Sequence, residues 1–210
     1  MILKLFYDLS FLKKQFLLIL TLWFVYYAGH FIFHKKSVQK SLLRKAIVDS
    51  SCHMLIANIS WLIFISWEKL TFTSVWETLL CGILASLIDS DHFVTAKSLQ
   101  LRDAVNLPSR PFLHNSTLIV SLTVFFVISM MYIRCVLAER IGWIFLIAVI
   151  SHHLRDSLHR GLLLWPYATQ QIAFVHVLIC TYFFPLGLGS LLHVLKVDSV
   201  VQDKPDILIV

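Results

Sequence analysis

Acidic and histidine side chains stand at the ends of several long apolar runs in this 210-residue chain. A charged side chain inside a bilayer costs roughly 2.5–3.5 kcal/mol on insertion scales, so such residues are rare there and usually functional. Three acid–histidine pairs are spaced i,i+4 or i,i+3, which places both members of a pair on one face of a helix. The pairs are Asp49/His53, Asp89/His92 and His152/Asp156. A helix presents two ligands to one cation in this way, and the spacing therefore predicts a metal site.

Imidazole and carboxylate ligands together suit a divalent transition metal, zinc in the first place and manganese or iron as alternatives. Five or six such ligands would hold one ion together with a substrate, or two ions bridged by a carboxylate. A bound ion lowers the pKa of a coordinated water to roughly 7, so that hydroxide can attack an ester, an amide or a phosphorus centre. Arg110 and Arg155 lie close to the pairs in sequence. We expect them to bind a phosphate or carboxylate group of the substrate.

Membrane-spanning helices must position these side chains, because the chain is 58% hydrophobic and only 14% charged, with a mean hydropathy of +0.79. Six segments approach the roughly 20 apolar residues that a bilayer requires, which predicts an all-α, polytopic bundle of about six spans. The predicted spans are about Phe16–Phe33, Ala46–Trp67, Val75–His92, His114–Arg134, Ile141–His159 and Ile172–Leu195. We expect a single membrane domain over residues 1–210, integral and multi-pass, with a motif-bearing core of spans two to five at 46–167.

Alternation of the spans predicts where the polar residues meet. Odd-numbered spans end, and even-numbered spans begin, on the same side of the membrane. His53 lies near the start of span two, Asp89 at the end of span three, His114 at the start of span four and His152 near the end of span five. All of these residues are therefore expected on one face of the bundle at similar depth.

The charge balance favours a membrane surface as the partner of the polar connections. The net charge of +6 comes from lysines and arginines in short connections between spans, and membrane lipids explain it better than nucleic acid does. No basic helix with interleaved aromatic residues is present in the sequence, so we expect no nucleic-acid binding. The four cysteines have no CxxC spacing and predict neither a disulfide framework nor a cysteine zinc site.

The same residues carry a family resemblance. The motifs are His53, Leu87-Ile88-Asp89-Ser90-Asp91-His92, Arg110-Pro111-Phe112-Leu113-His114-Asn115-Ser116, Ser151-His152-His153-Leu154-Arg155-Asp156 and Leu163-Leu164-Trp165-Pro166. They resemble those of the YdjM-like family, inner-membrane proteins classed as metal-dependent hydrolases. The chain is more closely similar to the animal transmembrane protein 267 family, over about Asp49 to Tyr167. Ser109 stands where the bacterial pattern has a histidine, and Pro111 replaces its glycine.

The resemblance implies a set of metal ligands and a catalytic residue. The implied ligands are His53, Asp89, His92, His114, His152 and Asp156. Asp91 is implied as a bridging or supporting carboxylate, and we expect it to act as the general base. Asp49 and His153 are expected to support the ligands from outside, Asp49 by orienting His53, because ligating imidazoles usually donate their other N–H to a carboxylate.

Three functions are consistent with this pattern. The first is a metal-dependent hydrolase acting on a lipid or amphiphilic substrate near one membrane face. The alternative is a non-catalytic membrane scaffold or assembly factor, whose polar cluster only fixes helix packing through hydrogen bonds or salt bridges. Such contacts between membrane helices contribute only about 0.6 kcal/mol on average, which favours metal binding. Metal transport is weaker, because the acids gather at one face and do not form a path across the bilayer.

Overall fold

The computed structural model describes residues 9–202 of the chain, with side chains through residue 195. Within that range six helical segments are long and apolar enough to cross a membrane, which confirms the predicted all-α, multi-pass bundle. The helices are α1 (Leu9–Phe33), α2 (Lys36–Gln39), α3 (Leu42–Phe64), α4 (Phe72–Leu87), α5 (Asp91–Ala96), α6 (Leu101–Val105), α7 (Ser116–Ile133), α8 (Val136–Arg160) and α9 (Phe174–Gln202).

Helices α3 and α8 form the centre of the bundle. About half of the most apolar window of each lies inside the protein, against 17–28% for the other four spans. Helix α3 packs against α1, α4, α8 and α9, and α8 packs against α4, α7 and α9. The remaining spans point large apolar side chains outwards, including Phe16 and Phe125. Many polar residues on α3 and α8, His53, His152 and Arg155 among them, are therefore enclosed by neighbouring helices.

The third span changes its helical form at the acidic motif. Helix α4 ends at Leu87, and a 3-10 turn over Ile88–Ser90 leads into α5. A 3-10 turn winds more tightly than an α-helix, so the side chains on either side of it are rotated relative to α-helical spacing. The carboxylates of Asp89 and Asp91 consequently face different nitrogens of the His114 ring, Asp89 facing Nε2 and Asp91 facing Nδ1. The sequence spacing predicts a continuous helix here, which the structure interrupts with this 3-10 turn, while Asp89 Oδ1 remains 3.9 Å from His92 Nδ1.

The entrance to the fourth span is also specialised. A 3-10 turn over Phe112–His114 follows Pro111, and the side chain of Asn115 caps α7 by accepting a hydrogen bond from the backbone N–H of Leu118. An N-cap of this kind satisfies one of the free N–H groups of the first turn. His114 therefore lies just outside the helix, at the level where α7 enters the bundle.

A short hairpin follows the fifth span. Helix α8 ends at Arg160, and Gly161 has φ +67°, a conformation that glycine adopts without steric cost. Strands β1 (Leu163–Leu164) and β2 (Tyr167–Ala168) pair antiparallel around a cis Trp165–Pro166 bond. The hairpin closes the same face of the bundle on which the acidic and histidine residues lie.

Candidate metal centre

Four residues from three segments converge at one face of the bundle. Asp89 comes from the 3-10 turn after α4, His114 from the turn before α7, and His152 and Asp156 from the last turns of α8. One potential ligand atom from each of these four residues lies within 4.8 Å of each of the others. We call Asp89, His114, His152 and Asp156 the His114 cluster. His53 of α3 lies beside this cluster and is not part of it.

The separations within the His114 cluster are narrowly distributed. His114 Nε2 lies 3.3 Å from His152 Nε2, 3.3 Å from Asp89 Oδ1 and 3.4 Å from Asp156 Oδ2. His152 Nε2 lies 3.7 Å from Asp89 Oδ1 and 3.6 Å from Asp156 Oδ2. Charge-assisted N–H···O hydrogen bonds are usually about 2.7–2.9 Å long, so these distances exceed those of direct bonds. Ligand atoms around a tetrahedral ion with bonds of about 2.1 Å are about 3.4 Å apart, which is close to the observed values.

In both His114 and His152, the other ring nitrogen, Nδ1, contacts a group outside the cluster. His152 Nδ1 lies 2.9 Å from the backbone carbonyl oxygen of Ala85, and a carbonyl can only accept, so Nδ1 carries the proton. His114 Nδ1 lies 3.3 Å from Asp91 Oδ1. Both Nε2 atoms are thereby directed at the centre of the cluster. Two imidazole nitrogens that face each other in this way need a cation or a proton between them.

Asp91 holds the ring of His114 from behind. Its Oδ2 accepts a 2.7 Å hydrogen bond from the backbone N–H of Leu113, and its Oδ1 lies 3.2 Å from His92 Nδ1. The residue is 8% exposed. Carboxylates in this position fix the ring orientation and increase the basicity of a ligating histidine. The geometry favours a positioning role for Asp91 over the general-base role predicted from the sequence.

His92 and His153 lie beside the cluster. The His92 ring meets the His114 ring edge-on at 4.6 Å, and His92 Nδ1 is closer to Asp91 than to Asp89, at 3.2 against 3.9 Å. His153 Nδ1 is 2.6 Å from the hydroxyl of Ser116, and its Nε2 is 3.0 Å from the carbonyl oxygen of Leu113. His153 thus ties α8 to the entrance of α7, a supporting position like that predicted. The position of His92 suits contact with Asp91 better than ligation beside Asp89.

Asp49 and Arg155 form an ion pair next to the cluster. Arg155 Nη2 donates to Asp49 Oδ1 over 2.8 Å, and Arg155 is only 3% exposed. Asp49 Oδ2 lies 3.9 Å from His53 Nε2, the nitrogen that also faces Asp156. Asp49 therefore approaches the same ring nitrogen as the other acids, and the expected contact with the opposite nitrogen of His53 is not formed. Arg155 acts on Asp49 and is too deeply buried to reach a substrate from outside.

Arg110 lies on the hairpin side of the site. Its Nη1 donates to the carbonyl oxygen of Gly161 over 3.1 Å, and its Nη2 donates to the carbonyl oxygen of Arg160. These bonds attach the segment before α7 to the end of α8. In this arrangement Arg110 stabilises the loop structure around the site, and its predicted contact with a substrate anion would require these bonds to be exchanged.

A cavity of about 710 Å³ opens beside the cluster. The polar part of its wall includes Asp49, Asp89 and Asp156, together with His92, His159, Arg160 and several serines. Most of the remaining wall is apolar, formed by residues that include Phe33, Ile47, Phe93, Leu101 and Val105. The cavity therefore combines carboxylates at one end with a hydrocarbon-like surface, which suits an amphiphilic molecule.

Burial and carboxylates act in opposite directions on His114, which lies outside the membrane-spanning helices. Burial lowers the pKa of His114, but hydrogen bonds with Asp156, Asp89 and Asp91 outweigh it and raise the pKa to about 11. The site therefore favours positive charge at its centre.

Several contributors to the site have no signal in the sequence. The carbonyl oxygens of Ala85 and Leu113 orient His152 and His153, but backbone groups of apolar residues cannot be recognised from residue type. Ser116, which contacts His153, could have been identified, because it belongs to the same sequence motif as His114, two residues further on. The cavity walls at Phe93 and Leu101 depend on the packing of α5 and α6 against the bundle.

The chain has close relatives among known proteins. It is 34% identical over 185 residues to transmembrane protein 267 of zebrafish (Danio rerio), covering 86% of this chain and 81% of the zebrafish protein. It is 38% identical over 154 residues to the cattle (Bos taurus) protein of the same name, covering 70% and 69%. The mouse (Mus musculus) protein is 34% identical over 163 residues, covering 76% and 74%. No family model and no solved structure matches the chain.

Proposed function

We propose that this chain, which belongs to the transmembrane protein 267 family, is a metal-dependent membrane hydrolase that acts on a lipid or amphiphile near one face of the bilayer. The metal would be a divalent transition ion, zinc in the first place. Asp89, His114, His152 and Asp156 would hold it. When bound, such an ion supplies Lewis acidity and a nucleophile at neutral pH, because it lowers the pKa of water to about 7.

One observation carries the proposal: the Nε2 atoms of His114 and His152 face each other at 3.3 Å while each Nδ1 is engaged elsewhere. Both rings direct a ligating atom at the same point. The 3.3–3.7 Å separations from these atoms to the carboxylates of Asp89 and Asp156 are too long for strong hydrogen bonds and match neighbouring ligands of one ion.

The residues around the centre have distinct roles in this proposal. Asp91 and the carbonyl of Ala85 hold the two imidazoles in the orientation that metal binding needs. The apolar wall of the adjoining cavity would receive an acyl chain, and Arg160, which also lines the cavity, would attract an anionic headgroup. The motif resemblance to YdjM-like proteins supports the metal site more than the reaction, and the names of the relatives state no reaction.

The proposal is tested by elemental analysis together with a lipid hydrolysis assay. Protein purified in detergent should contain a stoichiometric transition metal, and Asp89→Ala and His152→Ala should both lose it. Phosphatidylcholine and phosphatidic acid in mixed micelles serve as probes, with products identified by mass spectrometry. Turnover should disappear with a chelator and return with Zn²⁺. His176→Ala is the matched control, because that histidine is exposed on α9 and belongs to none of the ligand groups of the described residues. Metal-free wild-type protein would falsify the proposal.

A second candidate, a non-catalytic scaffold, is favoured by one property of His114. Its raised pKa means that a proton can supply the positive charge that Asp89, Asp91 and Asp156 require. The cluster would then only join α4, α8 and the entrance of α7. Under this alternative the wild-type protein contains no metal, and Asp89→Asn lowers the melting temperature without any change in metal content.

A further inference from the structure

His53 is the most unusual buried polar residue of the described structure. Its side chain on α3 is 1% exposed, and among the described residues neither ring nitrogen has a partner in hydrogen-bonding geometry. Its Nε2 nevertheless points at carboxylates, 3.3 Å from Asp156 Oδ1 and 3.9 Å from Asp89 Oδ2 and Asp49 Oδ2. A buried imidazole without a hydrogen bond loses its contacts with water and gains none in return. The arrangement is incomplete without a further group at this point.

The two acids of the His114 cluster also face His53. Asp156 directs Oδ2 at His114 and His152, and Oδ1 at His53. Asp89 directs Oδ1 at His114 and His152, and Oδ2 at His53. Each carboxylate therefore offers one oxygen to each of two neighbouring positions, which is how a carboxylate bridges two cations.

Ring stacking separates these two positions. The rings of His53 and His152 are stacked, with centroids 4.0 Å apart and an interplanar angle of 23°. Both Nε2 atoms face the same carboxylate of Asp156, so the lone pairs of the two rings run nearly parallel. Parallel lone pairs on rings 4.0 Å apart cannot converge on one ion. They instead define two ligand positions at about the spacing of two-metal sites, roughly 3.5–4 Å.

We propose that Asp49, His53 and Asp156, whose potential ligand atoms lie within 4.8 Å of one another, form a second divalent-cation position, bridged to the His114 cluster by the carboxylate of Asp156 and, at longer range, that of Asp89. This inference rests on the proposed metal centre and adds to it a second ion on the cavity side, where Asp49 lies. The Asp49–Arg155 ion pair occupies Oδ1 of Asp49 and leaves Oδ2 for the ion.

The net charge of the site depends on whether one or two divalent ions are bound. Asp49, Asp89, Asp91 and Asp156 carry four negative charges and Arg155 one positive charge, a sum of −3 with the imidazoles neutral, as ligands are. One divalent ion would leave −1, which repels an anion. Two divalent ions would give +1, which attracts one. A two-ion centre therefore suits a substrate with an anionic headgroup, such as a phosphate ester.

Metal counting tests this inference separately from the proposed function. Full-length protein in detergent, saturated with Zn²⁺ and then freed of excess, should contain two zinc ions per chain. His53→Ala should retain one, and the control His176→Ala should retain two. One ion in both the wild-type protein and His53→Ala would overturn the second position and leave the proposed function standing. No ion in the wild-type protein would overturn both.

A spectroscopic measurement on the wild-type protein tests the second position without requiring that the His53→Ala variant folds. Protein loaded with two equivalents of Mn²⁺ should give the electron paramagnetic resonance spectrum of an exchange-coupled pair, with hyperfine splitting half that of isolated Mn²⁺. A spectrum of isolated Mn²⁺ alone would overturn the bridged arrangement.

Discussion

Arg155 on α8 and Asp49 on α3 form an ion pair at the edge of the candidate metal centre, with Arg155 Nη2 donating to Asp49 Oδ1 over 2.8 Å. The pair joins the two central helices of the bundle. It also holds Asp49 so that its other oxygen faces His53 at 3.9 Å. The contact is therefore both a connection between helices and a support for the carboxylate cluster.

Removing both members of this pair should destabilise the bundle by less than the sum of the two single losses. Asp49→Asn leaves the buried Arg155 guanidinium without its counter-charge, and we expect a loss of about 3 kcal/mol in the free energy of unfolding. The double variant Asp49→Asn/Arg155→Met should lose less than the sum of the two single variants. Denaturant unfolding in detergent measures all three, and additive losses would show that the pair contributes nothing.

Asp91→Asn tests the support of His114. The asparagine keeps the shape of the side chain but loses the charge that faces His114 Nδ1. We expect metal affinity to fall by about 10–100-fold, the usual effect of changing such a partner. Competition with a chromophoric chelator measures the affinity. Asp103→Asn is the control, because Asp103 is exposed on α6 and bonds to Ser98. An unchanged affinity in Asp91→Asn would contradict the positioning role.

Metal removal should lower the stability of the wild-type protein. A ligand that binds only the folded state stabilises it by about 2.7 kcal/mol at a concentration 100 times its dissociation constant. We therefore expect a chelator to lower the melting temperature and Zn²⁺ to restore it. His152→Ala should show neither response, because it lacks one of the two facing imidazoles. Equal chelator responses in both proteins would place the metal elsewhere.

Gly189 tests the packing of α9 against the centre of the bundle. A methyl group at Gly189 would overlap with the backbone carbonyl of Phe64 on α3, so the two backbones could not stay in contact. We expect Gly189→Ala to cost about 1–3 kcal/mol in the free energy of unfolding. Gly187→Ala is the matched control, since no described atom lies within 4 Å of its added carbon. A helical alanine there should be neutral or stabilising. Equal effects of the two variants would contradict this packing.

The sequence by itself determined the class of fold and predicted that the acids and histidines meet at one face of the bundle. Apolar segments of bilayer length admit only a helical bundle, because the backbone must satisfy its own hydrogen bonds in lipid. Strict alternation of the spans then brings His114 and His152 to one face. Neither inference needs knowledge of how the helices pack.

Only the tertiary structure decided which atom faces which. The 3-10 turn after α4 directs Asp89 and Asp91 to opposite nitrogens of His114, although they stand two residues apart. Helix packing also stacks the ring of His53 on that of His152, with centroids 4.0 Å apart, a contact between two helices that spacing within one helix does not predict. Residue type and spacing define a helix face to within a turn. Ligation depends on ångström-scale distances between atoms of different helices, and those are set by side-chain packing.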